Sequence, residues 1–238
     1  MNLNLEQGEV LLIDKPLNWT SFDVVNKLRY TLQKNLHKFK ELKAGEKPKI
    51  KVGHAGTLDP LATGLLIVCI GKETKNIDTY MATEKEYTGT IFIGATRSSY
   101  DKETAIDKTY STLHITPQLI HETATKFTGE LQQLPPLHSA IKKDGIRLYE
   151  HARAGNTIEV KPRNIFIHSF EITEIQLPII AFRVTCSKGT YIRALAHDFG
   201  KALASGAYLD SLCRTRSGNF LLNDAYQLDD LLDKINFK

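Results

Sequence analysis

The strongest candidate for a catalytic side chain is Asp59, in the segment Gly-His-Ala-Gly-Thr-Leu-Asp-Pro at residues 53–60. The proline disfavours helical geometry for Asp59, so its carboxylate is expected to project from a loop. Gly53 and Gly56 would let this backbone approach another molecule closely. An aspartate with its ordinary pKa is ionised at neutral pH and needs no separate base. An ordinary Asp-Pro turn is also compatible with the sequence, so the loop alone leaves both interpretations open.

Other candidate enzyme signatures are incomplete. Gly71-Lys72 lacks the preceding glycine of a phosphate-binding loop, and residues 121–125 lack the second histidine of a zinc metalloprotease. Ser139 and Lys142 have Ser-x-x-Lys spacing, but the companion motifs of the known acyl-transfer enzymes are missing. A serine acyl-transfer enzyme therefore stays as an alternative, and it predicts reaction with acylating inhibitors.

The charge distribution is more informative than the total charge. The 238-residue chain carries a net charge of +4, which does not by itself establish a nucleic-acid partner. From Lys27 to Lys51, however, the chain has nine lysines and arginines but only two acidic residues, Glu41 and Glu46. This run is either a solvated loop or a basic arm that binds a phosphate backbone.

The sequence predicts a cytoplasmic protein without a metal. The first six residues lack the basic start and apolar run of a signal peptide, and the longest apolar stretch, near residues 65–70, is too short to span a bilayer. Cys69, Cys186 and Cys213 form no Cys-x-x-Cys pair and lie in or beside apolar runs. We therefore expect reduced thiols rather than a zinc site.

The elements that must position Asp59 follow from hydrophobic periodicity and capping signals. Strands are predicted over residues 9–14, 64–70, 87–93, 164–175, 180–186 and 208–213. Helices are predicted over residues 21–32 (capped by Thr20 or Ser21), 72–82, 117–127 (capped by Thr116), 149–154, 191–204 (capped by Thr190) and 227–235. Residues 33–51 read as a long loop, and Asp144-Gly145 as a hairpin turn within a protruding arm. Irregular mixing of strands and helices favours an α+β fold.

Residues 53–66, continuing through Gly71 and Thr74-Lys75, closely resemble the catalytic motif of the bacterial tRNA pseudouridine synthase B family. Further segments resemble the family in the same order along the chain. They are residues 12–16 with 19–21, 85–87, 134–140 and 186–193. The likeness covers nearly the whole chain, and its central motif is long enough to be highly specific.

The resemblance implies the pseudouridine synthase fold, with a mixed, mainly antiparallel sheet, a central catalytic cleft and no cofactor. It also implies isomerisation of the uridine at position 55 in the tRNA T-loop, after that nucleotide is flipped out of its stack. Asp59 would be the catalytic aspartate, acting on the ribose during glycosidic cleavage. A non-catalytic RNA-binding protein and a synthase acting on a different RNA remain as alternatives.

The same resemblance assigns substrate-binding roles to further residues. Arg193 would pair with Asp59, Tyr87 would stack on the target base, and Leu212 would pack near the uracil. His54 would fill or support the place that the flipped nucleotide leaves. From their residue types alone, Arg193 could instead form a surface ion pair, and Tyr87 and Leu212 could be core residues.

Lys15 and Tyr191 lie in two of the matching motifs and are also counted as substrate-binding, although Lys15 reads chiefly as part of the scaffold. Two segments depart from the family pattern. His138 stands where many relatives have tyrosine or phenylalanine, and residues 94–101 keep the family threonine and aspartate only loosely. These departures affect details of RNA contact rather than the reaction.

The resemblance also predicts the domain organisation and partners. We expect residues 1–238 to form one catalytic domain with an arm at about residues 130–160 and no C-terminal PUA domain. The basic segment from Lys34 to Lys51 would partly compensate by binding tRNA phosphates. The expected partner is tRNA, bound through its T-loop and stem by a monomer that needs no membrane or protein partner.

Overall fold

The structure is a computed structural model that describes residues 2–3, 7–39, 49–139, 142–143, 146–147, 150 and 160–237. Its helices are α1 (Ser21–Phe39), α2 (Ile77–Met81), α3 (Pro117–Thr125), α4 (Ile192–Ala202) and α5 (Leu228–Lys234), with 3-10 helices at Gly71–Asn76 and Leu222–Asp224. The strands are β1 (Asn2–Leu3), β2 (Glu9–Lys15), β3 (Val52–Ala55), β4 (Ala62–Ile70), β5 (Lys85–Ile93), β6 (Ala95–Arg97), β7 (Ile106–Thr109), β8 (Gly129–Gln133), β9 (Lys142–Lys143), β10 (Ile146–Arg147), β11 (Arg163–Gln176), β12 (Ile179–Cys186), β13 (Ala207–Ser217), β14 (Phe220–Leu221), β15 (Tyr226–Gln227) and β16 (Asn236–Phe237). The predicted α+β class is confirmed.

The chain divides into two compact units. The first comprises residues 1–85 and 213–238, and the second comprises residues 86–212. Strand β13 supplies residues to both, since the division falls between Leu212 and Cys213.

The first unit is built on β4, whose apolar run is buried along almost its whole length. Strands run in the order β15-β2-β4-β13, with β3 also paired to β4. Strands β2 and β3 are antiparallel to β4, with Lys15 opposite Gly64 and Ala55 opposite Ile67. This register places Lys15 at the same end of β4 as the loop that joins β3 to β4.

Helix α1 covers one face of this sheet through a stripe of buried aliphatic residues. Val24, Val25, Leu28 and Leu32 are buried, as their spacing predicted. Leu36 extends the stripe by one more turn, so residues 33–39 are helical and the prediction that the loop begins at residue 33 was wrong. Residues 40–48 of that predicted loop lie outside the described residues.

The second unit has the strand order β13-β5-β12-β11-β8, and β11 is antiparallel to both β12 and β8. Phe127, Phe170, Phe182 and Phe199 form an aromatic cluster with ring centroids 5.5–6.4 Å apart. These edge-to-face contacts connect α4 with β11 and β12. In the predicted arm, β9 pairs antiparallel with β10, while Asp144 and Gly145 of the predicted hairpin turn lie outside the described residues. Of the predicted 149–154 helix, only Glu150 is described.

Three other predictions were wrong in detail. The helix predicted at 72–82 starts as a 3-10 helix, in which the Thr74 hydroxyl donates to the Gly71 carbonyl three residues earlier. Thr190 does not cap α4, because its hydroxyl donates to the Ser187 carbonyl and Tyr191 is the N-cap. Strand β13 continues past residue 213 to Ser217, where Arg216 and Ser217 pair with β14.

No helix in the part of the chain that the structure describes is both long enough and apolar enough to span a bilayer.

Candidate active site

The loop that carries Asp59 is fixed through its backbone. The Ser21 hydroxyl accepts the Leu58 N–H at 2.8 Å and donates to the Leu58 carbonyl at 3.1 Å. The Asp59 carbonyl accepts the Ala62 N–H at 3.1 Å, and the Pro60 carbonyl accepts the Asn18 N–H at 2.9 Å. Since both neighbours of Asp59 are held, the position of its carboxylate is restricted before a substrate binds.

Arg214 braces the start of the same loop. Its buried guanidinium donates from Nε to the Leu65 carbonyl at 2.7 Å and from Nη2 to the Gly56 carbonyl at 3.1 Å. Gly56 has φ +96°, and a Cβ there would lie 3.2 Å from Arg214 Nη1. Glycine is therefore needed both for the turn and for the close approach of the arginine. Sequence reasoning missed Arg214, which lies about 150 residues from the carbonyls that it binds.

Lys15 adds a second buried cation to the first unit. Its Nζ donates to the carbonyls of Trp19 at 2.6 Å and Pro16 at 2.8 Å, and it lies 3.5 Å from the Pro60 carbonyl. Burial lowers the pKa of Lys15 to about 8, although the charge of Asp59 opposes this shift. Lys15 is fully buried, which favours a role in holding the loop and its charge rather than in direct contact with RNA.

His54 lies on β3, opposite Val68 of β4, and is partly buried. Burial, and secondarily the positive charge of Arg214, lowers the pKa of His54. The ring is therefore neutral at pH 7. Its buried Nδ1 has no hydrogen-bond partner among the described residues. His54 thus presents a neutral ring whose polar capacity the described fold leaves partly unused.

Arg193, in the second unit, is a buried hub rather than a surface residue, with 4% of its surface exposed. Its Nε lies 3.6 Å from Asp101 Oδ2. Nη1 donates to the Ser99 carbonyl at 3.2 Å, and Nη2 donates to the His138 carbonyl at 2.9 Å. The ion pair with Asp101 was not predicted, because residues 94–101 match the family pattern only loosely. The pairing of Arg193 with Asp59 stays a prediction.

The other predicted substrate-binding residues of the second unit lie on β5, β13 and the start of α4. Tyr87 is 8% exposed and shares a face of β5 with Ile91 and Ile93, as predicted. Leu212 is partly exposed. The Tyr191 N–H and carbonyl both bond the Gln133 side chain, at 2.8 and 3.0 Å, and Arg163 lies over the Tyr191 ring at 5.1 Å. The start of α4, which carries Arg193, is thereby fixed.

Among the described residues, no group of three or more histidine, cysteine, aspartate or glutamate side chains could hold a metal ion. The first unit holds a carboxylate, that of Asp59, near the buried ammonium group of Lys15. The second holds the buried guanidinium of Arg193 between the Asp101 carboxylate and two backbone carbonyls.

Comparisons with known proteins identify the family. Residues 41–192 match the model described as TruB family pseudouridylate synthase (N terminal domain), and residues 193–238 match the tRNA pseudouridylate synthase B C-terminal domain. The first match contains the whole Asp59 loop. The chain belongs to the TruB family of pseudouridylate synthases.

Curated relatives of this TruB family member match along nearly their full length. The chain is 58% identical over 222 residues to tRNA pseudouridine synthase B of Flavobacterium johnsoniae, covering 93% of each chain. It is 51% identical over 235 residues to tRNA pseudouridine synthase B of Bacteroides fragilis (strain YCH46), covering 99% of this chain and 94% of that protein. The resemblance inferred from the motifs is confirmed.

Solved structures support the pseudouridine synthase fold for this chain. A chain of a Cbf5-Nop10-Gar1 complex is 30% identical with a TM-score of 0.69. A chain of an H/ACA RNP bound to a substrate RNA containing 2'-deoxyuridine is 27% identical with a TM-score of 0.66. Each match covers 96% of this chain, which spans about half the length of those chains.

Proposed function

We propose that this chain converts the uridine at position 55 of the tRNA T-loop into pseudouridine, with Asp59 as the catalytic carboxylate. The observation that carries the proposal is the rigid Asp59 loop, held by Ser21, Asn18 and Arg214, within the segment that matches the synthase model. The curated relatives, which this chain matches over more than nine-tenths of their length, are named tRNA pseudouridine synthase B.

The reaction breaks the bond between C1′ of the ribose and N1 of the uracil, rotates the base, and joins C1′ to C5. The hydrogen at C5 is then lost to solvent as a proton, and N1 takes up a proton in its place. Asp59 would act on the ribose side while the base is detached. The negative charge of Asp59 raises the pKa of Lys15 and so partly offsets the effect of burial on the ammonium group.

Base recognition would come from the second unit. Tyr87 would stack on the flipped uracil through its aromatic ring, and the partly exposed Leu212 would offer an apolar contact. Arg193 and Tyr191 are each fixed by two or more hydrogen bonds, so they could contribute to base recognition without reorganisation. His54, with its unused Nδ1, would occupy the gap that the flipped nucleotide leaves.

We also infer that the chain acts on tRNA as a monomer without a cofactor or protein partner. The Cbf5 chains belong to complexes with other proteins, but they are about twice as long as this chain. Analytical ultracentrifugation should show one protein chain per tRNA at assay concentrations. A stable dimer that binds one tRNA would contradict the inference.

The proposed activity is tested by incubating the protein with unmodified tRNA transcripts that carry tritium at C5 of uracil. One tritium atom per transcript should be released, and a transcript with cytidine at position 55 should release none. Release that persists from the cytidine transcript would show a different target uridine. Binding without any release would indicate an RNA-binding protein instead.

A further inference from the structure

We propose that Tyr100 and His197 form a positioning pair that holds the Asp101 loop against Arg193. This inference rests on the proposed function, because it gives both residues a part in the same reaction without contact with the substrate. It is carried by the backbone of Tyr100, the ring contact between the two residues, and their placement beside Arg193.

The backbone of Tyr100 is strained. Its φ is +63°, in the left-handed region that side chains other than glycine, asparagine and aspartate seldom adopt. Glycine would take this conformation without strain. A tyrosine at such a position therefore indicates that its side chain supplies an interaction that outweighs the cost.

That interaction is a close parallel stack on His197. The two ring centroids lie 3.9 Å apart, with 14° between the ring planes. His197 follows Arg193 by four residues on α4, so the two side chains lie on the same face of the helix, one turn apart. The stack thus joins the Tyr100 loop to the helix face that carries Arg193.

The residues on either side of Tyr100 are both partners of Arg193. The Ser99 carbonyl accepts from Nη1 at 3.2 Å, and the Asp101 carboxylate lies 3.6 Å from Nε. Ser99 and Asp101 are almost fully buried. The Tyr100 carbonyl also accepts the Leu209 N–H at 2.9 Å. A shift of the Tyr100 ring would therefore move the carboxylate and the carbonyl that orient the guanidinium.

Both rings of the stack are neutral at pH 7. Burial raises the pKa of the Tyr100 phenol, while the nearby carboxylates of Asp198 and Asp107 act in the same direction. Burial lowers the pKa of His197, an effect that Asp198 and Asp107 oppose and Lys201 reinforces. His197 Nδ1 is buried without a hydrogen-bond partner among the described residues. The unsatisfied Nδ1 of His197 is thus a second energetic cost at this stack, in addition to the backbone strain of Tyr100. Two such costs at one contact strengthen the inference that the stack has a function.

The test separates the contribution of the Tyr100 ring from the contributions of its hydroxyl group and of its backbone strain. Tyr100→Phe keeps the ring and should keep kcat within about twofold. Tyr100→Gly removes the ring and relieves the strain, so the chain should stay folded while kcat falls roughly 10- to 100-fold at nearly unchanged KM for tRNA. His197→Phe should resemble the wild type, and His197→Ala should resemble Tyr100→Gly.

The NMR signal of the Arg193 Nε–H group provides a readout that does not depend on turnover. It should shift or broaden in Tyr100→Gly and stay in place in Tyr100→Phe. Phe92→Leu is the matched control, because it breaks another stack of the same unit, with Tyr208, and should leave the Arg193 signal unchanged. An unmoved Arg193 signal and wild-type kcat in Tyr100→Gly would overturn the proposal. So would an equal loss of kcat in Tyr100→Phe, or an effect on KM alone. Failure of the wild type to release tritium would refute the proposed function while leaving the NMR test intact.

Discussion

Two buried cations, Lys15 and Arg214, define the surroundings of the Asp59 loop at the scale of single residues. Arg214 binds the carbonyls of Gly56 and Leu65, while Lys15 binds those of Pro16 and Trp19. Each therefore satisfies backbone acceptors that burial would otherwise leave unpaired. Their positive charges also contribute to the electrostatic potential around the Asp59 loop.

Half of the Lys15 charge should be lost near pH 8. The pKa of Lys15 is lowered by burial from its ordinary value of 10.5 to about 8, so the folded chain releases this proton first as the pH rises. Between pH 8 and 10.5 the unfolded chain holds the extra proton, and the contribution of Lys15 to stability becomes more favourable with rising pH. The Cε chemical shift of Lys15, assigned by comparison with Lys15→Arg, should titrate with a midpoint near 8. A midpoint near 10.5 would show that burial does not act on this amine.

The sequence predicted Asp59 as the catalytic residue because its loop resembles a long, continuous family motif. It could not identify Arg214 or Asp101, because their roles depend on contacts across many residues of chain. Arg214 reaches Gly56 across 158 residues, and Arg193 reaches Ser99 across 94. Charged residues of this kind look like ordinary surface residues until the fold buries them.

At the scale of elements, the start of α1 is hydrogen-bonded to the loop between β3 and β4. Ser21, the first residue of α1, bonds both backbone groups of Leu58. The preceding residue, Thr20, caps the helix through reciprocal bonds with Asp23. These adjacent side chains thus serve different purposes: Thr20 caps the N-terminus of the helix, and Ser21 holds the Asp59 loop.

Ser21→Ala should separate these purposes. The variant leaves the Leu58 N–H and carbonyl without their buried partner, which should cost about 1–3 kcal/mol of unfolding free energy and lower kcat through a looser loop. Thr20→Ala, the matched control, should cost about 1 kcal/mol through the lost cap and leave kcat near the wild-type value. Urea unfolding and tritium release measure both effects. Equal kcat in the two variants would remove Ser21 from the positioning of Asp59.

Periodicity predicted the main strands and helices of the described residues, but element ends depended on tertiary contacts. Helix α1 continues to Phe39, with Leu36 buried in the core, and β13 continues because its last residues pair with β14. The Thr190 cap was wrong because a nearby carbonyl competes for its hydroxyl. Such competition cannot be judged from a linear pattern.

At the scale of the whole molecule, the boundaries between the compact units differ from the boundary between the two matched family models. The compact units divide at residues 85/86 and 212/213, whereas the family models meet at residues 192/193. The single-domain organisation stays a prediction. So does the role of the basic segment from Lys34 to Lys51, of which residues 40–48 lie outside the described part of the chain.

Replacement of Lys34, Lys38, Lys49 and Lys51 by glutamine should flatten the salt dependence of tRNA binding. If each lysine neutralises one phosphate, the slope of log K against log[salt] should fall by about 3. Replacing the exposed Lys72, Lys75, Lys126 and Lys201 makes the same change in net charge at other sites and should alter the slope less. Equal slopes for the wild type and the first variant, measured by filter binding, would exclude the segment from phosphate contact.

The role of Asp59 as catalytic carboxylate is tested most directly by single-turnover tritium release with Asp59→Asn. The amide is nearly the same size as the carboxylate, so the loop and tRNA affinity should be retained, with Kd within about threefold of wild type. We predict that the variant releases tritium from uridine 55 at least about a thousandfold more slowly than the wild type. Release at a rate near that of the wild type, with tRNA bound equally well, would contradict the assignment of Asp59.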